Sequence, residues 1–282
     1  MNTLNTKINN KSPLRYPGGK TRACKVLNKE LQKHFGDELH QKYTTLISPF
    51  FGGGSFEFYL QHAYGFTIIA NDKFAPLANF WRMCREQNKK LCEELYTYVG
   101  KITKEDFKKY RDVIMEENDS LQQAVMYFII NRCSFSGATL SGGFSQDASK
   151  KRFTTSSVDR IKNLDLSTFT IINQDFEDFI NENNGLSSLM FLDPPYYLEK
   201  KSKLYGKKGD MHEHFDHQKL FACLSKRKNW MMTYNNCDYI KNLYKDFKII
   251  ETNWSYGMCN VKKKSDTTKK KQKPSSEIII IG

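Results

Sequence analysis

Apolar residues along this chain come in short runs that stop abruptly at polar or acidic positions. Residues 44–50, 66–72, 169–175, 188–192, 229–234, 247–254 and 276–281 each hold a cluster of Ile, Leu, Met, Phe, Trp or Tyr. Runs this short, bounded by breakers, predict strands of a buried and largely parallel sheet. Other stretches follow a helical period. Residues 23–34 read as a helix opened by a Pro-Gly turn, and a second helix runs through Phe58 and Leu60. Between about residues 74 and 166 the pattern is helical throughout. Leu121, Ala124, Val125, Phe128 and Ile129 fall at i, i+3, i+4, i+7 and i+8, one apolar stripe. The expected architecture is α/β, with a helical lobe over residues 76–165 inserted into a sheet domain made of residues 1–75 and 166–282.

In open parallel sheets ligands bind beyond the carboxyl ends of the strands, so the strand tips are where chemistry is expected. The run 188–192 ends in Asp193-Pro194-Pro195-Tyr196. Two prolines cannot continue a ladder and fix φ, which leaves a rigid corner of hydrogen-bond acceptors beside an aromatic ring. Such a corner suits an exocyclic amino group on a flipped-out base, with its two N–H donors and flat π-face. Asp193, the Pro194 carbonyl and Tyr196 would meet it; a plain strand-ending turn with Asp193 as helix cap is the alternative.

Two glycine turns precede this corner. In Tyr16-Pro17-Gly18-Gly19-Lys20 the backbone bends tightly around an anionic or carboxylate group, with Lys20 as charge clamp and Tyr16 as stacking face. It is not a Walker A loop, because Leu14 stands where the first glycine is required. Phe50-Phe51-Gly52-Gly53-Gly54 turns a strand into a helix, and Gly52 and Gly54 permit close backbone approach to a ligand. Asp72 lies 18 residues after Gly54 at the tip of the next strand, placed to accept ribose hydroxyls. Together these point to an adenosine-containing cofactor, and the missing third glycine argues against a dinucleotide. Asp175 either accepts from the cofactor's adenine amino group while Phe176 packs on the ring, or caps the following helix.

Composition changes the picture in one respect, the partner. Lys and Arg number 44 against 31 Asp and Glu, a net charge of +13, which favours a polyanion such as nucleic acid, or an anionic membrane surface. Residues 261–274 alone carry seven lysines against Asp266. Asn131, Arg132, Ser134 and Ser136 open a Ser/Gly-rich loop or hairpin of the type that enters a nucleic-acid groove, the alternative being an ordinary surface hairpin. Lys200 and Lys201 sit in a lysine-rich stretch just past the Asp193 corner, suited to hold phosphates or to close over a bound strand, the alternative being a solvated loop. The seven cysteines include no Cys-x-x-Cys pair and read as reduced thiols. No metal site is expected, because His212, His214 and His217 lack zincin spacing. Reduced thiols fit an intracellular place, in the cytoplasm or wherever the DNA of the cell or virus is held, and no run approaches a membrane span.

Taken in order, these motifs resemble those of the Dam-like DNA adenine-N6 methyltransferases, over nearly the whole chain and including Ser255-Tyr256-Gly257. The resemblance implies a Rossmann-like S-adenosylmethionine-dependent methyltransferase sheet with an inserted helical target-recognition domain, acting on double-stranded DNA. It implies that Tyr16, Lys20, Phe50, Gly52, Gly54, Asp72, Asp175, Phe176 and Asp193 bind S-adenosylmethionine, while Asp193, Pro194 and Tyr196 hold the target adenine. A restriction endonuclease acting on the same site is the further partner it suggests. Two departures stand out. Ser48 occupies a position where members of the family usually carry an acid, and Gly137-Ala138-Thr139-Leu140 lacks the arginine of GATC readers, so GATC is not assigned. The rival readings are an RNA adenine methyltransferase, a DNA-binding relic without catalysis, and a nucleotide-binding structural protein.

Overall fold

The computed structural model describes residues 11–137, 139–183, 185, 187–197, 215–252 and 277–282. In chain order the elements are α1 (Cys24–Phe35), α2 (Leu39–Lys42), β1 (Thr45–Ser48), α3 (Ser55–Tyr64) and β2 (Thr67–Asn71). Six helices follow: α4 (Ala75–Glu86), α5 (Asn88–Tyr98), α6 (Lys104–Val113), α7 (Ser120–Cys133), α8 (Gln146–Lys151) and α9 (Thr155–Lys162). The chain then returns to the sheet with β3 (Phe169–Ile172), α10 (Phe176–Glu182), β4 (Ser188–Leu192), α11 (His217–Leu224) and β5 (Trp230–Asn235). It ends with α12 (Asp238–Leu243), β6 (Lys248–Glu251) and β7 (Glu277–Ile281).

The seven strands make one sheet in the order β3-β2-β1-β4-β5-β7-β6. Side-chain burial follows this order. Every residue of β4 and β7 is buried, the apolar runs 189–192 and 278–281 together with the polar Ser188 and Glu277 that open them, whereas β3 and β6 at the two edges are partly exposed. Successive residues of the central strands face opposite ways. Leu189, Phe191 and Met231 join the core under α1, α3 and the helical lobe, while Met190, Leu192, Trp230 and Met232 join the core under α10, α11 and α12. The sheet is therefore covered on both faces.

The pairs from β3 through β5 are parallel, but β7 runs antiparallel between β5 and β6. Its Ile278, Ile279, Ile280 and Ile281 pair with both neighbours, so the last apolar run closes the sheet from inside rather than extending its edge.

In the helical lobe the expected stripe is buried at Ala124, Val125, Phe128 and Ile129, and burial spreads past it to every residue of α7 from Tyr127 to Cys133. The helix packs on α4, α5, α6 and α8 at once, which is why burial widens beyond one stripe. Among the described residues no helix is long and apolar enough to cross a membrane.

Candidate active site

Strand order reverses between β1 and β4, since β1 leads on through α3 to β2 on one side while β4 leads to β5 on the other. The carboxyl ends of β1 and β4 thus lie side by side with diverging connections, and a crevice opens there. It holds a cavity of about 620 Å³. Tyr16, Lys20, Phe50, Gly52, Gly54, Asp72, Asp175, Phe176, Asp193, Pro194 and Tyr196 all line it.

At the β1 end, the glycine turn is shaped by what presses against it. A Cβ on Gly53 would lie 2.7 Å from the Tyr16 side chain, and one on Gly54 would lie 2.5 Å from the Phe51 ring. Gly52 and Gly54 also adopt φ of 49° and 64°, the left-handed region that glycine enters without strain. The turn is pinned from behind: Gly52 donates its N–H to Asp72 Oδ2 at 2.9 Å, and its carbonyl accepts from Trp81 Nε1 at 2.9 Å. Asp72 accepts in addition from the Phe74 N–H at 2.9 Å. Burial pushes the Asp72 carboxyl up to about 6, with both N–H donors opposing it.

At the β4 end, Asp193 is held from two sides. Lys20 Nζ, itself buried, lies 2.6 Å from Asp193 Oδ2 and also donates to the Gly18 carbonyl at 2.9 Å. Thr233, on the neighbouring strand β5, donates to Asp193 Oδ1 at 2.7 Å. Each carboxylate oxygen keeps a second lone pair for another donor. Tyr196 stacks on Tyr234 with ring centroids 5.7 Å apart, and Lys20 Nζ lies 5.2 Å from the Tyr196 ring centre. Tyr234 is in turn hydrogen-bonded to His217 on α11. The result is a carboxylate of fixed orientation beside a braced aromatic face.

Asp175 satisfies its capping alternative: it accepts the Glu177 N–H at the start of α10, and Lys73 Nζ lies 2.7 Å from Oδ2. Burial alone raises its carboxyl, but these two bonds outweigh it and hold the group below the ordinary carboxylate range. Phe176 packs with Phe50 and Phe215 into an aromatic wall of the same cavity.

The nucleic-acid positions need correction. Asn131 and Ser134 are fully buried and Arg132 is 6% exposed. Asn131 Nδ2 donates to the Arg15 carbonyl at 2.7 Å, and its Oδ1 accepts the Arg15 N–H at 3.0 Å. Arg132 donates to the Pro13 and Arg152 carbonyls. Burial, then neighbouring Arg160, Arg15 and Arg152, lowers its guanidinium to about 10. These side chains clamp the N-terminal segment onto the lobe instead of facing a groove. The expected hairpin is present in reduced form, as two one-turn 3₁₀ helices enclosed by a bridge between Ser134 and Phe144. Phe135, at 65% exposed, is a large apolar side chain that this loop turns to solvent, and Thr139 reaches the cavity. Lys200, Lys201, Ser255-Tyr256-Gly257 and the lysines of 261–274 lie outside the described residues, as does the side chain of Ser136.

Sequence reasoning missed two site residues. Thr233 is a hydroxyl inside an apolar strand, and Glu57 is an acid between Phe56 and Phe58 in the first turn of α3. A lone polar residue in an apolar run is the signal that marks both. Glu57 is 3% exposed, lines the cavity and accepts from Ser48 Oγ at 2.6 Å. Burial pushes its carboxyl up to about 7; the Ser48 bond and its own backbone N–H oppose this, and Asp193 and Lys20 add weaker pushes up and down.

The site thus offers a cradle of glycine backbone with an acid behind it, continuous with an oriented carboxylate and a π-face. No curated protein matches the chain at a significant level. A family model does, over residues 16–258, a span that contains every cavity residue named above. By that match the chain belongs to the D12 class N6 adenine-specific DNA methyltransferases.

Proposed function

We propose that the methyl donor is S-adenosylmethionine and that the acceptor is an adenine swung out of duplex DNA into the Asp193 corner, with residues 76–165 serving as the target-recognition lobe. The observation that carries this is the continuity of one cavity from the glycine turn and Asp72 to Asp193 and Tyr196. The residues fit an adenosine-bearing donor: the tight turn over Gly52 to Gly54, which only glycine allows against Tyr16 and Phe51, lines the cavity with Asp72 behind it. When bound, S-adenosylmethionine supplies an electrophilic methyl group on a sulfonium.

The adenine amino lone pair is delocalised into its ring, so the nitrogen needs help to attack. Asp193 and the Pro194 carbonyl accept its two N–H bonds and hold the lone pair towards the cavity interior. Lys20 and Thr233 keep the carboxylate from turning. Tyr196 covers the face of the base. Extrusion costs a few kcal/mol, and stacking on one aromatic ring returns roughly 1–3 kcal/mol. After transfer the amino nitrogen sheds a proton, and the Asp193 carboxylate is the acceptor that already touches it.

Methyl-labelled donor and unmethylated genomic DNA test this. After digestion to nucleosides, label is expected in N6-methyladenine with the wild type and none with Asp193→Ala, which retains DNA binding. Label in RNA but not in DNA would move the acceptor to an RNA adenine.

A further inference from the structure

Glu57 is a buried acid that neither the acceptor corner nor the glycine cradle requires, and it lines the same cavity. Its side chain is hydrogen-bonded to neutral Ser48, at 2.6 Å. Among the described residues no ion pair reaches it, and the nearby ammonium of Lys20 is bonded to Asp193. The ionisable groups facing it are Lys20 from the N-terminal segment, Cys24 on α1 and Asp193 after β4. Of these, only Lys20 is a cation. A carboxylate kept from water without a cation of its own is unfavourable until positive charge is brought to it.

We propose that Glu57 is a donor-binding carboxylate that receives the positive charge of the methionine half of S-adenosylmethionine; the inference rests on the methyl-donor reading above. Its position is suited to that role. Glu57 belongs to the first turn of α3, directly after the glycine cradle, and reaches back to Ser48 on the strand before it. It therefore lies beside the glycine cradle on the same cavity wall, near enough to Asp193 and Lys20 for their charges to act on it. Without the donor, burial leaves Glu57 about half protonated at pH 7, and an arriving cation favours the carboxylate form, so that fraction of a proton leaves to solvent as the donor binds.

Calorimetric titration with S-adenosylmethionine, in two buffers of different ionisation enthalpy at pH 7, reads both affinity and proton release. The wild type is expected to release about half a proton per donor bound, as follows for a group titrating near 7. Glu57→Gln keeps an oxygen for Ser48, and is expected to bind about tenfold more weakly and to release none of that proton. S-adenosylhomocysteine, which retains the ammonium but lacks the sulfonium, identifies the charge received. Equal weakening of both ligands assigns the ammonium, and weakening of the donor alone assigns the sulfonium. Equal affinity and equal proton release in wild type and variant would overturn the role of Glu57 and leave the methyl-donor reading standing. Wild-type protein that binds neither ligand would overturn that reading itself, and the role of Glu57 with it. If the variant does not fold, donor binding by the wild type without proton release still overturns the proposal.

Discussion

At the scale of single residues, the site works by fixing two carboxylates in unlike surroundings. Asp193 is held by a cation and a hydroxyl, whereas the side chain held against Glu57 is a hydroxyl and carries no charge. Thr233→Val removes one of the two bonds that orient Asp193 and keeps the volume of a buried side chain. Steady-state kinetics are expected to show turnover lower by about tenfold, equivalent to ~1.4 kcal/mol, with donor affinity unchanged. Glu57 also ties stability to pH. Its folded pKa, about 7, is raised above the ordinary 4.5, so below the ordinary value both states are protonated and the burial of Glu57 costs least. As pH rises towards 7 the unfolded chain has already ionised, and folded stability falls. Thermal unfolding of the ligand-free protein is expected to favour Glu57→Gln increasingly from pH 5 to 8, by on the order of 3 kcal/mol at the upper end. Of these residues the sequence exposed Asp193 plainly, because a breaker after an apolar run marks a strand tip. It marked Thr233 and Glu57 only as oddities, because which way a side chain faces depends on the layer that packs against it.

At the scale of elements, α7 is the joint between the helical lobe and the site. Its last turn carries Asn131 and Arg132, which bind the backbone of residues 13–15, and the same segment leads within five residues to Lys20. One short segment thereby joins the lobe to the group that orients Asp193. Asn131→Ala removes the partners of the partly buried N–H and carbonyl of Arg15, a loss of about 1–3 kcal/mol. Thermal unfolding is expected to record that loss, and the salt dependence of DNA affinity is expected to stay as in the wild type, because the Asn131 side chain is buried. A flattened salt dependence would return Asn131 to the DNA surface. The helix itself is legible from its period, and Asp119 caps it with bonds to the N–H groups of Leu121 and Gln122. Its burial on nearly all sides is not legible, since that is decided by four other helices arriving around it.

At the scale of the whole molecule, charge and topology divide the labour of binding. The net charge of +13 supplies the attraction for a polyanion, and residues 261–274 account for +6 of it. Replacing Lys262, Lys263, Lys264, Lys269, Lys270, Lys271 and Lys273 by Gln is expected to weaken duplex DNA affinity for all sequences alike. It is also expected to flatten the slope of log affinity against log salt by about 0.9 for each phosphate no longer neutralised, measured by fluorescence anisotropy. An unchanged slope would exclude the segment from DNA binding. Within the sheet, the chain order of the motifs, the existence of seven strands and the burial of β4 and β7 were determined by the sequence alone. These are local properties: an apolar run, a glycine where backbone must turn, an acid at a strand tip. Tertiary structure alone decided that β7 inserts antiparallel between β5 and β6, that Asn131 and Arg132 point inward, and that Glu57 shares the cavity with Asp193. Each of these depends on partners distant along the chain, such as Lys20 with Asp193 across 173 positions and Asn131 with Arg15 across 116. No local pattern encodes such a meeting, because it is the packing of the sheet and the lobe that brings the two ends together.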